Sequence, residues 1–198
     1  SNLSSKPTET VQEVSAVNGT GIVLPSHFTE RKITDPSTAR DAINDVADTL
    51  GIVSVEDELG TADCSTVLGD TYYSFPQVYR GIPVYGRKVT VSADADSEAA
   101  LLTSGFYPIE NLSVEAKITQ NDAEKIVAGL YPGEADIYVN NLVIFSLDKT
   151  NPELAWKISV HQNNSWESVF LSAVDGRALK TFSNELTDNE SSSNRFTN

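Results

Sequence analysis

The chain has 198 residues, 39% of them hydrophobic, which suffices for one large domain or two small ones with modest cores. Its 28 acidic residues against 14 basic give a formal charge of −14, which repels phosphate backbones and anionic lipid surfaces and argues against nucleic-acid or membrane partners. No apolar run is long enough to span a bilayer, and a single cysteine, Cys64, excludes an intrachain disulfide.

Ser1 to Thr10 is rich in Ser, Thr and Lys with little to bury and reads as a loose arm. Val11 to Phe28 has apolar residues broken by Asn18-Gly19 and Gly21, the pattern of a short strand and turn or of an arm laid across a domain. Asp35-Pro36-Ser37 opens a helix: Asp35 caps it and Pro36 fits its first position. Ala39, Ile43, Val46, Ala47 and Leu50 form its apolar stripe, and Gly51 ends it. Ser54 to Thr66, acidic and containing Gly60 and Cys64, reads as a connector.

Thr71 to Thr90 is the stretch around which the rest is arranged. Tyr72, Tyr73, Phe75, Val78 and Tyr79 precede Gly81, and Ile82, Val84, Tyr85, Val89 and Val91 follow it, so the run predicts a β-hairpin turning at Gly81. Pro83 fixes φ just inside the returning arm, and Gly86 marks a second place where the backbone bends or is closely approached. Asp94-Ala95-Asp96-Ser97-Glu98 offers carboxylates to calcium but lacks the central Gly and closing Glu of a calcium loop, so an acidic turn is the stronger reading. Ala99 to Tyr107 returns as another strand, and Pro108 to Lys117 forms a seam.

Beyond the seam, Thr119 caps a helix whose buried stripe is Ala123, Ile126, Val127 and Leu130 and which Pro132-Gly133 stops. Asp136 to Asn140, Leu142 to Leu147, Leu154 to Gln162 and Trp166 to Ala173 read as strands. Asp175-Gly176 turns the chain into a last one, Ala178 to Phe182. The expected fold class is therefore α+β: two small modules, each an antiparallel sheet packed with one main helix. Trp156 and Trp166 suit either an exposed aromatic platform or the layer between sheet and helix, and the flanking strand pattern favours the layer.

The run Gln77-x-Tyr79-x-Gly81-Ile82-Pro83-Val84-Tyr85-Gly86 resembles the signature of the fungalysin/thermolysin propeptide module, which precedes secreted zinc metalloproteases. Pro152-Glu153-Leu154-Ala155-Trp156-Lys157, then Trp166, then Ala173-Val174-Asp175-Gly176, resembles the second propeptide module, PepSY, in the family's order. The resemblance implies residues 1–30 as an N-terminal arm, 31–112 as the first module, 113–185 as the PepSY-like module and 186–198 as an extended tail leading to the protease junction. It also implies a vibriolysin-like source, and a secreted, extracellular destination, reached through the periplasm if the source is a Gram-negative bacterium. The sequence shows no secretory signal, and removal of one ahead of Ser1 is compatible with that destination.

Catalytic chemistry is nearly absent from the pattern. There is no His-Glu-x-x-His, Gly-x-Ser-x-Gly, phosphate-cradling glycine loop or Cys-x-x-Cys, and only His27 and His161 are available to assist Cys64. Scattered carboxylates are too many for a chance glycosidase pair to mean anything. The expectation is a non-catalytic prosegment with no cofactor of its own. Its partner would be the cognate mature metalloprotease, which the resemblance supplies with zinc and calcium. The chain would act as intramolecular chaperone and inhibitor; the alternative is a stand-alone extracellular inhibitor or binding module acting in trans. The expected contact residues are Tyr79, Arg80, Tyr85 and Arg87 on the hairpin. On the tail they are Arg195, Phe196, Thr197 and Asn198, with Phe196 in an apolar subsite of the protease cleft.

Overall fold

Two-residue turns with both residues at positive φ close the hairpins that supply half of the described strands of this computed structural model: Leu68-Gly69, Arg80-Gly81 and Asn163-Asn164. The left-handed pair matches the right-handed twist of the strands it joins, so each arm returns directly onto its predecessor. The structure describes residues 12–16, 19–146 and 151–183. The chain is an α+β protein and forms two compact units, one running to Glu110 and including Ser146, the other comprising Asn111–Phe145 and the chain from Asn151.

In the first unit the strands are β1 (Gln12–Ala16), β2 (Gly19–Leu24), β3 (Asp63–Val67), β4 (Asp70–Tyr79), β5 (Ile82–Ala93) and β6 (Ala99–Ser104). They pair antiparallel in the order β1-β2-β6-β5-β4-β3. Alternation along the strands sends Tyr73, Phe75, Val89, Val91, Ala93 and Leu102 to one face. There they meet Ala39, Ala42 and Ile43 of α1 (Pro36–Asp45), Leu50 of α2 (Ala47–Leu50) and Val55 of α3 (Val55–Glu58). The opposite face is polar where Ser74 and Thr90 join hydroxyls at 2.9 Å.

The capping prediction for α1 holds, with a threonine in the usual glutamate position. Asp35 Oδ1 accepts from Thr38 N at 2.8 Å, and Thr38 Oγ1 accepts from Asp35 N at 3.1 Å. The helix does not run unbroken to Gly51. It breaks at Val46, resumes as α2, and ends at Gly51 with φ 77°. Arg40 reaches from α1 to the end of α3, donating to the carbonyls of Val55, Leu59 and Gly60 at 3.2, 3.3 and 2.7 Å, so the short helix has its exposed carbonyls filled. The stretch expected as a connector therefore holds both α3 and β3. Nor is the segment before residue 30 merely an arm: β2 pairs with β6, and Leu24 and Phe28 are buried in the core.

The second unit packs α4 (Gln120–Leu130) on β7 (Asp136–Phe145), β8 (Glu153–Gln162), β9 (Ser165–Ser172) and β10 (Ala178–Ser183), antiparallel in that order. Ala123 and Val127 of the helix bury against Ile158, Val160, Val169 and Leu171. Trp156 packs at the rim of this cluster, its Nε1 donating to the Ile118 carbonyl at 2.8 Å. The two strands expected before Leu147 are one, β7, interrupted by a register shift at Asn140. Leu130, expected in the buried stripe, is exposed at the last position of α4.

Candidate functional site

The β4–β5 hairpin carries an excursion that the sequence signature makes possible. Its ladder is regular from Thr71↔Ala93 to Pro76↔Lys88 and resumes at Val78↔Pro83, leaving Gln77 alone opposite the residues from Val84 to Arg87. Gly86 sits there at φ 72°, a conformation that a side chain would strain. Gln77 is 2% exposed, and its carboxamide takes the place of a missing strand. Nε2 donates to the Tyr107 carbonyl at 2.7 Å while Oε1 accepts from Tyr107 N at 2.9 Å. On the other flank Leu59 bridges to Gln77, and Gly60 N donates to the Pro76 carbonyl at 2.8 Å. One residue thus ties the hairpin to the segments before and after it.

Arg87, across the excursion, is 4% exposed. Its guanidinium donates to the carbonyls of Gly105 at 3.4 Å and Ser146 at 3.1 Å and lies over the Tyr107 ring, 5.4 Å from the centroid. Among the described residues no carboxylate reaches it within salt-bridge distance, and its Nε is buried without an acceptor. Burial lowers its pKa from the ordinary arginine value. Carbonyl dipoles and an aromatic face supply what a counter-ion would otherwise supply.

These positions sort the residues expected to meet a partner. Arg80 is exposed at the corner, φ 47°, with its guanidinium 5.4 Å from the Tyr79 ring centroid. Tyr79 and Tyr85 are half-buried, and burial pushes the Tyr85 phenol up. Arg87 is the exception: it points into the fold and is fastened there, so it offers no surface in this structure. Arg195, Phe196, Thr197 and Asn198 lie outside the described residues.

The hairpin with its glycine-dependent excursion, buried glutamine and left-handed corner lies inside one family match. Residues 64–106 match the fungalysin/thermolysin propeptide motif. The motif begins on β3 and ends just past β6, so it holds Gln77, Tyr79, Gly81, Pro83, Val84 and Gly86 together with the Gly105 carbonyl that receives Arg87. No curated protein matches the chain. Among solved structures, the chain is similar to the C-terminal domain of YpeB from Bacillus megaterium at 15% identity and a TM-score of 0.43, covering 93% of each chain. It is also similar to a Clostridium difficile 630 protein described as a "putative lipoprotein", at 16% identity and a TM-score of 0.31, covering 79% of this chain and 96% of that one.

Away from the motif's hairpin, the acidic turn after β5 is closed by its own backbone. Asp94 Oδ1 accepts from the N–H groups of Asp96 and Glu98, both at 2.9 Å, and Lys32 pairs with Glu98. Among the described residues no group of three or more His, Cys, Asp and Glu side chains could hold a metal ion, and no helix is long and apolar enough to cross a membrane. Trp166 departs from the expectation of core packing. It is 37% exposed, its ring stacked on Tyr138 at 5.9 Å and tilted against His161 at 4.7 Å on the sheet face turned away from α4, and His161 Nδ1 lies 3.5 Å from Asp136. Sequence reading also passed over Val67 and Leu68 at the β3–β4 turn. The signal available was an apolar pair directly before a turn glycine.

Proposed function

We propose that the chain is the propeptide of a secreted, thermolysin-family zinc metalloprotease, a non-catalytic prosegment that holds its cognate protease domain inactive and assists its folding. The observation that carries this reading is the propeptide motif over residues 64–106, centred on the hairpin that Gln77 and Arg87 fasten. A preformed surface of this kind lowers the folding barrier of a partner that docks on it, and the barrier left after the prosegment is destroyed then protects the mature enzyme. Inhibition follows from the same docking. The complex buries on the order of 1,200 Å² or more, with Arg80 and the exposed flanks of Tyr79 and Tyr85 contributing from the hairpin. In this reading the second unit is the PepSY-like module, the tail through Asn198 leads to the protease cleft, the source is vibriolysin-like, and zinc and calcium belong to the protease.

The test is to refold a thermolysin-family zinc metalloprotease of the same source from denaturant with and without the purified chain, and separately to measure its proteolysis as the chain is added. The expected result is higher recovery of active enzyme and saturable inhibition. Neither effect at chain concentrations well above the enzyme's would overturn the proposal.

A further inference from the structure

The motif begins on a strand that the rest of the fold leaves uncovered. All five residues of β3 are exposed, and among the described residues β3 pairs only with β4. The two-residue turn makes Val67↔Asp70 a pair that exchanges both hydrogen bonds. By alternation Ser65↔Tyr72 and Asp63↔Ser74 do the same, and the N–H and C=O groups of Thr66 and Cys64 point outward. Edge strands are ordinarily blunted by charged side chains, above all lysine, by proline or by a bulge. Asp63-Cys64-Ser65-Thr66-Val67 has no lysine, proline or bulge, carries its one charge at Asp63, the end away from the tip, and pairs in unbroken register.

The tip beside it is costly in two ways. Leu68 is 100% exposed and holds φ 51°, a left-handed conformation that asparagine or glycine would take with less strain. Val67 next to it is 53% exposed. Nothing in the fold is gained by an apolar side chain at that corner. The chain around it is acidic: from Ser54 to Tyr79 it has Glu56, Asp57, Glu58, Asp63 and Asp70 and no lysine or arginine, and Arg40, which reaches this stretch from α1, has its guanidinium turned onto the carbonyls of Val55, Leu59 and Gly60.

We propose that the outer edge of β3 takes an extended, basic segment of a partner polypeptide as an added strand, with Leu68 and Val67 as its apolar anchor. Backbone pairing to Thr66 and Cys64 supplies the affinity, and the acidic surroundings select a cationic partner. A second copy of this chain brings the same acids to the same edge and is disfavoured. Under the propeptide reading, on which the partner's identity rests, the segment belongs to the protease.

Two substitutions test the edge by isothermal titration with a short peptide alternating lysine and valine, and with its glutamate counterpart. Thr66→Pro removes an outward N–H without breaking the β3–β4 ladder. Leu68→Asn installs the residue the turn prefers and keeps the protein folded, with a urea midpoint at or above that of the wild type. The wild type is expected to bind the lysine peptide and not the glutamate one, T66P to lose binding, and L68N to weaken it by about tenfold. Failure of the lysine peptide to bind, equal binding by T66P, or a wild-type dimer in sedimentation that T66P dissolves would each overturn the proposal. A second arm uses an immobilised thermolysin-family protease with its catalytic glutamate changed to glutamine. Equal capture of wild type and T66P overturns the edge and leaves the propeptide reading standing. Capture of neither, with T66P-sensitive peptide binding intact, supports the edge and counts against the propeptide reading.

Discussion

Replacing Gln77 separates its bonding role from its bulk. Gln77→Ala deletes both carboxamide bonds to Tyr107 and strands its half-buried N–H and C=O, which no other described group satisfies. Each group left without its partner costs about 1 kcal/mol, the low end of the range for stranded groups because Tyr107 is half-buried, so the loss is expected to be about 2 kcal/mol. For a unit of this size that lowers Tm by roughly 8 °C. Gln77→Glu keeps the shape, but only a protonated carboxyl can both donate to the Tyr107 carbonyl and accept from its N–H. The folded state therefore raises this carboxyl's pKa. The Q77E penalty is full above that raised pKa and is relieved as pH falls through it, down towards the unfolded value of about 4.3. Urea unfolding of wild type, Q77A and Q77E at pH 7 and 5 measures all of this. A Q77A loss under about 1 kcal/mol, or a Q77E–wild-type difference that does not shrink on acidification, would refute the idea that this side chain stands in for a strand.

Other outcomes follow from the same structure. Asp45 accepts from Arg31 Nε and Thr29 Oγ1, both at 2.9 Å, and the Arg31 guanidinium holds its carboxyl below the ordinary aspartate range. Asp45→Asn should therefore be less stable than wild type at neutral pH, with the difference fading as pH drops through that depressed pKa; urea midpoints across pH 7 to 2 check it. Arg87→Lys should cost about 1–3 kcal/mol, since an ammonium cannot span two carbonyls and lie flat on Tyr107, and it should leave far-UV circular dichroism unchanged. In acrylamide quenching, the Trp156→Phe variant, which keeps only Trp166, should be quenched more steeply than Trp166→Phe, which keeps the rim-packed and hydrogen-bonded Trp156.

The elements best read from sequence were those with local causes. Gly81 fixed the corner, Asp35 and Thr119 fixed the helix starts, and strand alternation placed Phe75 and Val91 in the core. Hidden from a local reading were α3 and β3: one is a single turn of mostly acidic residues completed by Arg40 from another helix, the other a polar edge strand with no buried face. The candidate site was legible to the same extent. The glycines announced the excursion at Gly86, but a charged residue in a strand pattern reads as surface, and only the tertiary arrangement of the Gly105 and Ser146 carbonyls with the Tyr107 ring makes room for Arg87 inside. Trp166 was misplaced for the converse reason. A strand pattern gives the two faces of a sheet but not which one a helix covers.

Among the described residues of the first unit, strand pairings join sequence neighbours except that of β2, whose Leu24 meets Leu102 of β6. Neighbouring hairpins close quickly because little chain entropy is lost in forming them, whereas joining β2 requires a long loop to be drawn shut. Assembly of the first unit should finish at that seam, and under strain the same strand should be the first to peel away.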